Sequence, residues 1–245
     1  MIDQISKADL HIHTTASDGA ATVPELLEHV ARMPDMRVIA ITDHDSIAGA
    51  TEAARLARQF GLEVIVGEEV STADGHLLAL FIDTLVPPGQ PAAATIAAIH
   101  AQGGLAIAPH PFDRSVPSLG RNGLQHDGWD LDAIEGFNAG VIWSQRGCNR
   151  AAQRAAALLS LPAVGGSDAH TLATVGLGYT LFPGASADDL YRAIRAGQVG
   201  WAGRYWGPGQ YIDMGHRLIR QHSLRGALAL AAAGAGLVTR HEQSL

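Results

Sequence analysis

The sequence predicts an α/β fold in which a largely parallel sheet closes, or nearly closes, into a barrel. Three observations support this class: short apolar runs alternate with helix-length segments, the runs are apolar on both faces, and polar clusters follow the runs. The predicted strands are residues 8–11, 38–42, 63–66, 76–82, 105–108, 133–137 and 163–166. The predicted helices are residues 24–32, 47–60, 92–102, 148–159 and 187–195. These seven strands favour a barrel over an open doubly wound sheet.

Local signals set the ends of several elements. Thr22 stands three residues before Glu25, which is the capping-box spacing of a helix start. Gly61 is placed to end the second helix, and Ser186 is placed to cap the last one. The link between the third and fourth strands is short, so these two are expected to be antiparallel neighbours. Residues 114–130 form a polar, glycine-rich loop that we predict to be a substrate-facing lid.

Composition indicates a folded protein and excludes some partners. Of the 245 residues 47% are hydrophobic, and the net charge of −7 disfavours a broad basic surface for nucleic acid. The single cysteine, Cys148, excludes an intramolecular disulfide and is typical of a reducing compartment. His11 stands too early to leave room for a signal peptide, and the longest apolar run, residues 227–238, is shorter than the roughly 18–20 residues of a membrane span. We therefore expect a soluble cytoplasmic protein that does not bind membranes.

The alternation of strands and helices ends near residue 200. Glycines around Trp201 and Trp206 interrupt it, and the chain beyond them has the pattern of one or two helices. Residues 1–200 are therefore predicted to form the barrel, and residues 201–245 a short helical extension packed on it.

Half of the twelve histidines fall at the ends of predicted strands. They are His11, His13, His44, His76, His110 and His170. His11 and His13 are the strongest pair, because residues separated by one position point to the same side of an extended segment. Asp18 follows them in an Asp-Gly turn and is a candidate ligand only in the company of these histidines.

Two acidic clusters follow the second and third strands. In the first cluster, His44 is the expected metal ligand. Its neighbour Asp43 is expected to orient a ring nitrogen, and Asp45 is expected to cap the next helix. Glu68 and Glu69 cannot both face inward on an extended segment, so we expect one to be a ligand able to bridge two metals and the other to be exposed.

The remaining clusters follow the fifth and seventh strands. Prolines on both sides of His110 fix the backbone, as for a preorganised ligand. Arg114 is a candidate to clamp a phosphate, with a surface ion pair as the alternative. Asp168 and His170 are another pair separated by one position, and the glycines before them allow close backbone approach.

These candidate ligands outnumber the roughly four that a single zinc ion needs, so they suit two or three divalent ions. Imidazole and carboxylate without thiolate suit Zn, Mn or Fe. Two such ions about 3.5–4 Å apart would hold a bridging hydroxide for in-line attack on phosphorus. The sequence has no P-loop, no Gly-x-Ser-x-Gly nucleophile motif and no Cys–Cys zinc pair.

Six motifs resemble those of the PHP (polymerase and histidinol phosphatase) metal-dependent phosphoesterases, in the same order. They are LHIHTTASDG, ITDHD, VGEEVS, HLLALFID, APHP and GGSDAH. The resemblance covers residues 8–199 and implies a distorted (β/α)7 barrel of the PHP type. It implies up to three metals at the C-terminal mouth: one held by His11, His13, Glu69 and Asp168, a second by Glu69, His76 and His110, and a third by Asp18, His44 and His170.

Two details of the motifs refine this resemblance. Glu69 is preferred to Glu68 because the family motif is Gly-x-Glu followed by an apolar residue and Ser or Thr. Amidohydrolase-type barrels also begin with His-x-His, but many bridge their metals with a carbamoylated lysine. The single lysine here, Lys7, precedes the histidine pair, which argues against that class.

The resemblance implies a hydrolase of phosphoric ester bonds that acts on a small phosphorylated metabolite, with nucleotides among the candidates, through a metal-bridged hydroxide. Arg114 is predicted to help offset the developing charge. Asp18 and His110 are conceivable leaving-group acids, although their roles as ligands argue against it. The alternative is a PHP-type exonuclease or proofreading module on single-stranded nucleic acid, which the acidic composition and 5% aromatic content disfavour. A non-catalytic metal-binding module is disfavoured by the complete ligand set.

Overall fold

The computed structural model describes residues 4–120, 124 and 129–213, and its strands form one mixed sheet. The strands are β1 Ile5–Asp9, β2 Met36–Ile41, β3 Glu63–Thr72, β4 Gly75–Leu80, β5 Leu105–Ala108, β6 Ala133–Asn138, β7 Ala163–Gly166, β8 Gly178–Pro183 and β9 Gly200–Gly203. Their order is β7-β6-β5-β4-β3-β2-β1-β8-β9. The first three strands are parallel, as are β5, β6 and β7. β4 is antiparallel to both its neighbours, and β8 is antiparallel to β1 and β9.

Strands β7 and β8 lie against each other and nearly close the barrel. Gly165 N donates to Thr180 Oγ1 at 2.9 Å, and that hydroxyl donates back to Gly165 O at 2.9 Å. The backbones approach so closely here that a Cβ on Gly178 would collide with Gly166 O. The α/β barrel predicted from the sequence is confirmed.

The sheet differs from the prediction in two respects. β8 and β9 were not predicted, and β3 continues six residues past residue 66, so that Glu68 and Glu69 lie inside it. The predicted antiparallel pairing of β3 with β4 is confirmed, with Ser71 opposite His76. The sheet is therefore mixed: β4 interrupts the parallel strands, and β8 and β9 extend the sheet beyond β1 by antiparallel pairing.

Five helices whose full bounds lie within the described residues flank the barrel. They are α1 Val23–Ala31, α2 Ala48–Leu56, α3 Ala92–His100, α4 Gly147–Leu159 and α5 Ala187–Arg195. The predicted ends are confirmed: Thr22 N donates to Glu25 Oε2 at 2.9 Å, and Ser186 Oγ accepts from Asp189 N at 3.1 Å. Gly61, with φ of 68°, ends the 3-10 turn Ala57–Phe60 that continues α2.

Strands β4, β5 and β6 are buried at every residue, which explains their apolar runs. Val38 and Ala40 face the barrel interior, where they belong to the same apolar cluster as Ile194 of α5. Ile39 and Ile41, between them in sequence, face the opposite way and pack with residues of α1 and α2. The candidate site forms at the C-terminal ends of the strands, next to the last residues of this apolar packing.

The chain divides into two compact units, residues 1–206 and 207–245. β9 and Trp206, which the sequence analysis assigned to the C-terminal extension, belong to the first unit. The second unit is described over residues 207–213, which are helical from residue 208. The rest of the predicted extension and part of the predicted lid lie outside the described residues, so both stay predictions. None of the helices that the structure describes has the length and apolar character to cross a membrane.

Candidate metal centre

Nine predicted ligands lie together at the C-terminal mouth of the barrel. They are His11, His13, Asp18, His44, Glu69, His76, His110, Asp168 and His170. Most are carried by chain that has just left a strand, whereas Glu69 and His76 lie within β3 and β4. Isolated bridges of Ile12 with Ala169 and of His44 with Glu69 continue the sheet past the strand ends and fix the loops that carry the ligands.

Glu69 is at the centre of the cluster and is 1% exposed. Its Oε2 lies 3.2 Å from His11 Nε2, 3.3 Å from His13 Nε2 and 3.3 Å from His44 Nδ1. Its Oε1 lies 2.9 Å from His76 Nδ1 and 3.0 Å from His110 Nε2. The two oxygens thus face different sets of imidazoles, which is the arrangement of a carboxylate that bridges two cations.

Asp168 and Asp18 face the other side of the cluster. Asp168 Oδ1 lies 3.5 Å from His11 Nε2 and 3.4 Å from His13 Nε2. Asp18 Oδ2 lies 3.2 Å from His170 Nε2, and Asp18 Oδ1 lies 3.5 Å from His13 Nδ1. His13 therefore stands between the two carboxylates.

The backbone is strained at two of these residues. His110 has φ of 27° and Asp168 has φ of 53°, in the left-handed region that non-glycine residues seldom adopt. Each residue turns the chain sharply as it leaves its strand, which aims the side chain back into the barrel mouth. Strain of this kind is typical of functional sites, where the surrounding structure holds it in place.

The donor set fits metal ions. Both ring nitrogens of His13 and Nδ1 of His76 are buried and form no hydrogen bond of acceptable geometry among the described residues, although carboxylate oxygens lie as near as 2.9 Å. Such a buried nitrogen is costly unless its lone pair is used, and a cation uses it. Four groups of ligand atoms lie within 4.8 Å of one another: His13, Asp18, His44 and His170; His11, Glu69 and His110; His11, His13 and Asp168; and His44, Glu69 and His76.

The protonation states of these side chains in the metal-free protein also suit cation binding. Burial opposes ionisation of Glu69, yet the neighbouring His11 and His44 hold its pKa well below the usual value. Burial and the charge of His170 lower the pKa of His13 to about 4, so this imidazole is neutral at pH 7. Burial alone would lower the pKa of His170, but Asp18 and Asp168 raise it to about 9. A metal would therefore displace a proton from His170 and find His13 ready to bind.

Glu135 and Asn138 of β6 support the ligands and were not predicted as site residues. Glu135 Oε1 lies 3.2 Å from His11 Nδ1, and its Oε2 accepts from His110 N at 2.8 Å. Asn138 Nδ2 donates to that Oε2 at 2.9 Å and to Asp168 Oδ2 at 3.1 Å. Both residues are fully buried. An acid and an amide inside an otherwise apolar strand were the signal that could have identified them.

Asp43 has a different role from the one predicted. Its carboxylate accepts from Thr14 N at 2.7 Å, from Thr14 Oγ1 at 2.7 Å and from Ser17 Oγ at 2.6 Å. It does not hydrogen-bond a histidine ring among the described residues. Asp43 therefore orders the loop that carries Asp18 instead of orienting a ring nitrogen.

Two further expectations were wrong. Asp45 does not cap α2, whose N-cap is Ile47; it accepts from Ser71 N at 2.8 Å and so ties the loop after β2 to β3. Glu68 is not exposed but fully buried, and its Oε2 accepts from Val86 N at 2.9 Å. Burial raises the pKa of Glu68 to about 7. The alternation of β3 sends Glu68 into apolar packing because both faces of this strand are covered.

Arg114 lies outside the cluster. Its backbone N donates to Gln145 Oε1 at 2.8 Å, and its exposed side chain lines a cavity between α4 and the loop that follows β5. Trp206, which sequence analysis did not assign to the site, lies at its edge: the indole Nε1 donates to Ser167 O at 3.1 Å, and the ring centroid is 6.3 Å from that of His170.

Comparisons with known proteins agree with this geometry. The PHP domain model matches residues 9–127, and the PHP-associated model matches residues 147–199. An uncharacterised protein of Methanocaldococcus jannaschii is 39% identical over 143 residues, which cover 54% of this chain and 82% of that protein.

Two relatives carry functional names. A 5'-3' exoribonuclease of Haemophilus influenzae is 48% identical over 85 residues, covering 33% of this chain and 31% of the relative. A 3',5'-nucleoside bisphosphate phosphatase of Chromobacterium violaceum is 39% identical over 95 residues, covering 37% of this chain and 31% of the relative. The match thus spans about a third of the length of each.

The fold agrees with a solved structure as well. A two-domain protein of Bacteroides vulgatus, described as containing a predicted PHP-like metal-dependent phosphoesterase, superposes with a TM-score of 0.68 at 17% identity over 82% of this chain and 66% of that chain. With its sequence motifs, its barrel and two family models in agreement, the chain belongs to the PHP family.

Proposed function

We propose that this protein hydrolyses a phosphomonoester or phosphodiester of a small phosphorylated metabolite, using two or three divalent ions held at the barrel mouth. The observation that carries the proposal is Glu69, whose two oxygens each lie within 3.3 Å of imidazole nitrogens from different strands. A single carboxylate placed in this way supports a multinuclear site better than a single-ion site.

The proposed ligand sets follow the distances. His11, His13, Glu69 and Asp168 would hold one ion; Glu69, His76 and His110 a second; and Asp18, His44 and His170 a third. Bound ions would lower the pKa of a water and offset the negative charge that develops on the phosphoryl oxygens. Zn, Mn and Fe all suit these donors.

The chain's own residues would hold this site rigid. Glu135 fixes the ring of His11 and the backbone of His110, and Asn138 holds Asp168. Asp18 and His110 are proposed as ligands and not as proton donors, because their side chains face the shared ligand positions. Preorganised ligands of this kind reduce the rearrangement needed during reaction.

The test is metal-dependent release of p-nitrophenol from p-nitrophenyl phosphate and from bis(p-nitrophenyl) phosphate. We expect turnover that disappears after exhaustive chelation and returns when Zn, Mn or Fe is added. The double variant His11→Ala, His13→Ala should have no turnover, whereas His29→Ala, on α1, is the matched control and should retain it. Undiminished turnover after chelation, or in the double variant, would exclude the proposal.

A second candidate function is exonuclease activity on single-stranded nucleic acid. It is favoured by the 48% identity to an exoribonuclease over 85 residues and disfavoured by the net charge of −7. Degradation of an end-labelled RNA strand, followed on a gel, separates the two functions. Progressive shortening of the strand, without release of phosphate from small esters, would favour the nuclease.

The remaining proposals concern the location of the protein in the cell, its partner and its domain organisation. The single cysteine supports a cytoplasmic location, since disulfides are rare there. We propose a small phosphorylated metabolite as the partner. The assignment of the C-terminal residues to a separate helical extension also stays a proposal.

A further inference from the structure

Trp206 is buried at the edge of the metal centre and contacts the ligand loop of β7, residues 167–170, in two ways. The residue is 5% exposed. Its indole Nε1 donates to Ser167 O at 3.1 Å, and its ring stands at 73° to the imidazole of His170, with 6.3 Å between the ring centroids. Ring pairs at this distance and angle attract each other. One side chain therefore contacts both ends of the loop that carries Asp168 and His170.

This ligand loop needs support because its backbone is strained. Asp168 has φ of 53°, and in this conformation its Oδ1 lies within 3.5 Å of ring nitrogens of His11 and His13. Non-glycine residues keep such a conformation only where neighbouring contacts hold them in it. The oxygen that accepts the indole N–H belongs to the peptide group between Ser167 and Asp168. The hydrogen bond therefore restrains the peptide that immediately precedes the strained residue.

The other restraints on the ligand loop come from the β1 side of the barrel. Ser167 N donates to Asp9 Oδ1 at 2.9 Å, and Ser167 Oγ donates to His11 O at 3.2 Å. Ala169 N also donates to His11 O, at 3.1 Å. These bonds engage the N–H and the hydroxyl of Ser167, and Trp206 engages its carbonyl. The loop is thus held from two parts of the chain that are far apart in sequence.

The loop after β6 seats Trp206 beside Asp168. Trp206 N donates to Ala139 O at 3.0 Å. A Cβ on the next residue of that loop, Gly140, would lie 3.2 Å from Asp168 Cβ and 3.3 Å from Trp206 Cζ2. The loop therefore packs against the ligand and the tryptophan together.

The backbone that leads to Trp206 is placed by contacts that involve no ligand. A Cβ on Gly203 would collide with Leu177 O, so a side chain at this position would block the approach of β9 to the start of β8. Arg204 N then donates to Leu177 O at 2.7 Å. Because these bonds fix the chain independently of the centre, Trp206 can serve as a fixed support for the ligand loop.

We infer that Trp206 is a positioning residue of the metal centre: it holds the ligand loop so that Asp168 and His170 present their ligand atoms together. The family models end at residue 199, so membership of the family does not assign this role. Residues that support metal ligands in this way typically change metal affinity about 10- to 100-fold when they are replaced. The inference rests on the proposed function because it concerns the ions of the same site.

The test is the affinity of the chelated protein for Zn, measured by calorimetry. Trp206→Phe keeps a ring beside His170 but removes the N–H that binds Ser167 O, and Trp206→Ala removes both contacts. Trp201→Phe is the matched control. Trp201 belongs to β9, and its ring stacks on Phe137 with 5.6 Å between the centroids.

We expect the Kd of at least one bound Zn to rise about tenfold in Trp206→Ala. In Trp206→Phe it should rise about threefold or more, since one hydrogen bond is lost. Trp201→Phe should leave it unchanged. Denaturant unfolding of the same proteins in EDTA separates positioning from a purely structural role, which would lower stability and leave every Kd unchanged. Kd values within twofold of the unmodified protein would overturn the inference, and Trp206→Phe decides alone if Trp206→Ala does not fold.

Turnover provides a second readout and separates this inference from the proposed function. The Mn concentration that gives half-maximal release of p-nitrophenol should rise about tenfold in Trp206→Ala, and excess Mn should restore most of the turnover. An unchanged half-maximal concentration would contradict the positioning role. If the unmodified protein binds Zn but hydrolyses no ester, the proposed function fails while the Kd values still decide the role of Trp206. If it binds no Zn, the metal centre and the inference are both rejected.

Discussion

Glu135 and His11 form a buried pair in which Glu135 Oε1 lies 3.2 Å from His11 Nδ1. With its Nδ1 held by this carboxylate, His11 presents Nε2 to Glu69 and Asp168, and Nε2 is the nitrogen that would bind a metal. Burial opposes protonation of His11, but Asp168, Glu69 and Glu135 raise its pKa, so metal binding would displace a proton from this ring. The orientation of the ligand is therefore set by a residue that touches neither Glu69 nor Asp168.

Glu135→Gln should weaken metal binding about 10- to 100-fold, because the amide holds the His11 ring less firmly and lowers its basicity. Titration of the chelated protein with Zn, followed by calorimetry, measures this change. Glu52→Gln, at an exposed site on α2, is the control and should bind as the unmodified protein does. Equal affinities for the two variants would show that Glu135 does not orient the ligand.

Glu69→Gln should remove at least one bound ion per chain and lower turnover about 100-fold or more, because an amide offers one acceptor where the carboxylate offers two. Elemental analysis of the purified protein gives the metal content. Glu68→Gln changes the adjacent residue of the same strand and should keep the full content, since Glu68 faces away from the centre. Loss of metal in both variants would indicate a general disruption of β3.

Glu68 should make stability depend on pH. Burial raises its pKa from 4.5 to about 7. Between these values the folded protein holds a proton that the unfolded chain releases, so this group lowers stability as pH rises from about 4.5 to 7. Relative to the unmodified protein, Glu68→Gln should therefore gain stability by about 2 kcal/mol, or about 4–8 °C in melting temperature, between pH 5 and pH 8. Melting curves of both proteins at these two pH values provide the measurement, and a difference that is the same at both would contradict it.

Gly178→Ala should destabilise the barrel by about 2–4 kcal/mol, because the new methyl group would collide with Gly166 O where β8 meets β7. Denaturant unfolding measures the effect. Gly147→Ala, at the first position of α4, has no atom within 4 Å of the added Cβ and should be neutral or slightly stabilising. If both variants unfold at the same denaturant concentration, the close approach of β7 and β8 does not limit stability.

The sequence predicted the elements whose signals are local. The capping pair Thr22 and Glu25, the glycine at position 61 and the apolar runs of the parallel strands all have causes within a few residues. The histidines at the strand ends could likewise be placed at one edge, because parallel strands bring their carboxyl ends together.

The features that were missed depend on distant contacts. Glu68 and Glu69 are both buried within β3 because Val86 N and histidines from other segments surround the two carboxylates, and nothing within β3 itself indicates that. Asp45 was placed as a helix cap by its position, but Ser71, 26 residues away, provides its partner. Glu135 was left unassigned because an acid in an apolar strand signals a buried polar contact but does not identify the partner of that contact.

The pairing of β3 with β4 fixes more than the shape of the sheet. Alternation along β3 sends Glu69 to the ions' position and Glu68 to a closed apolar space, and the hairpin sets this choice through Ser71 opposite His76 and Thr72 opposite Gly75. A slip of a single residue would exchange the two acids and turn every side chain of the strand to the wrong face. The accuracy of one tight hairpin thus decides which of two adjacent, chemically identical groups serves the reaction.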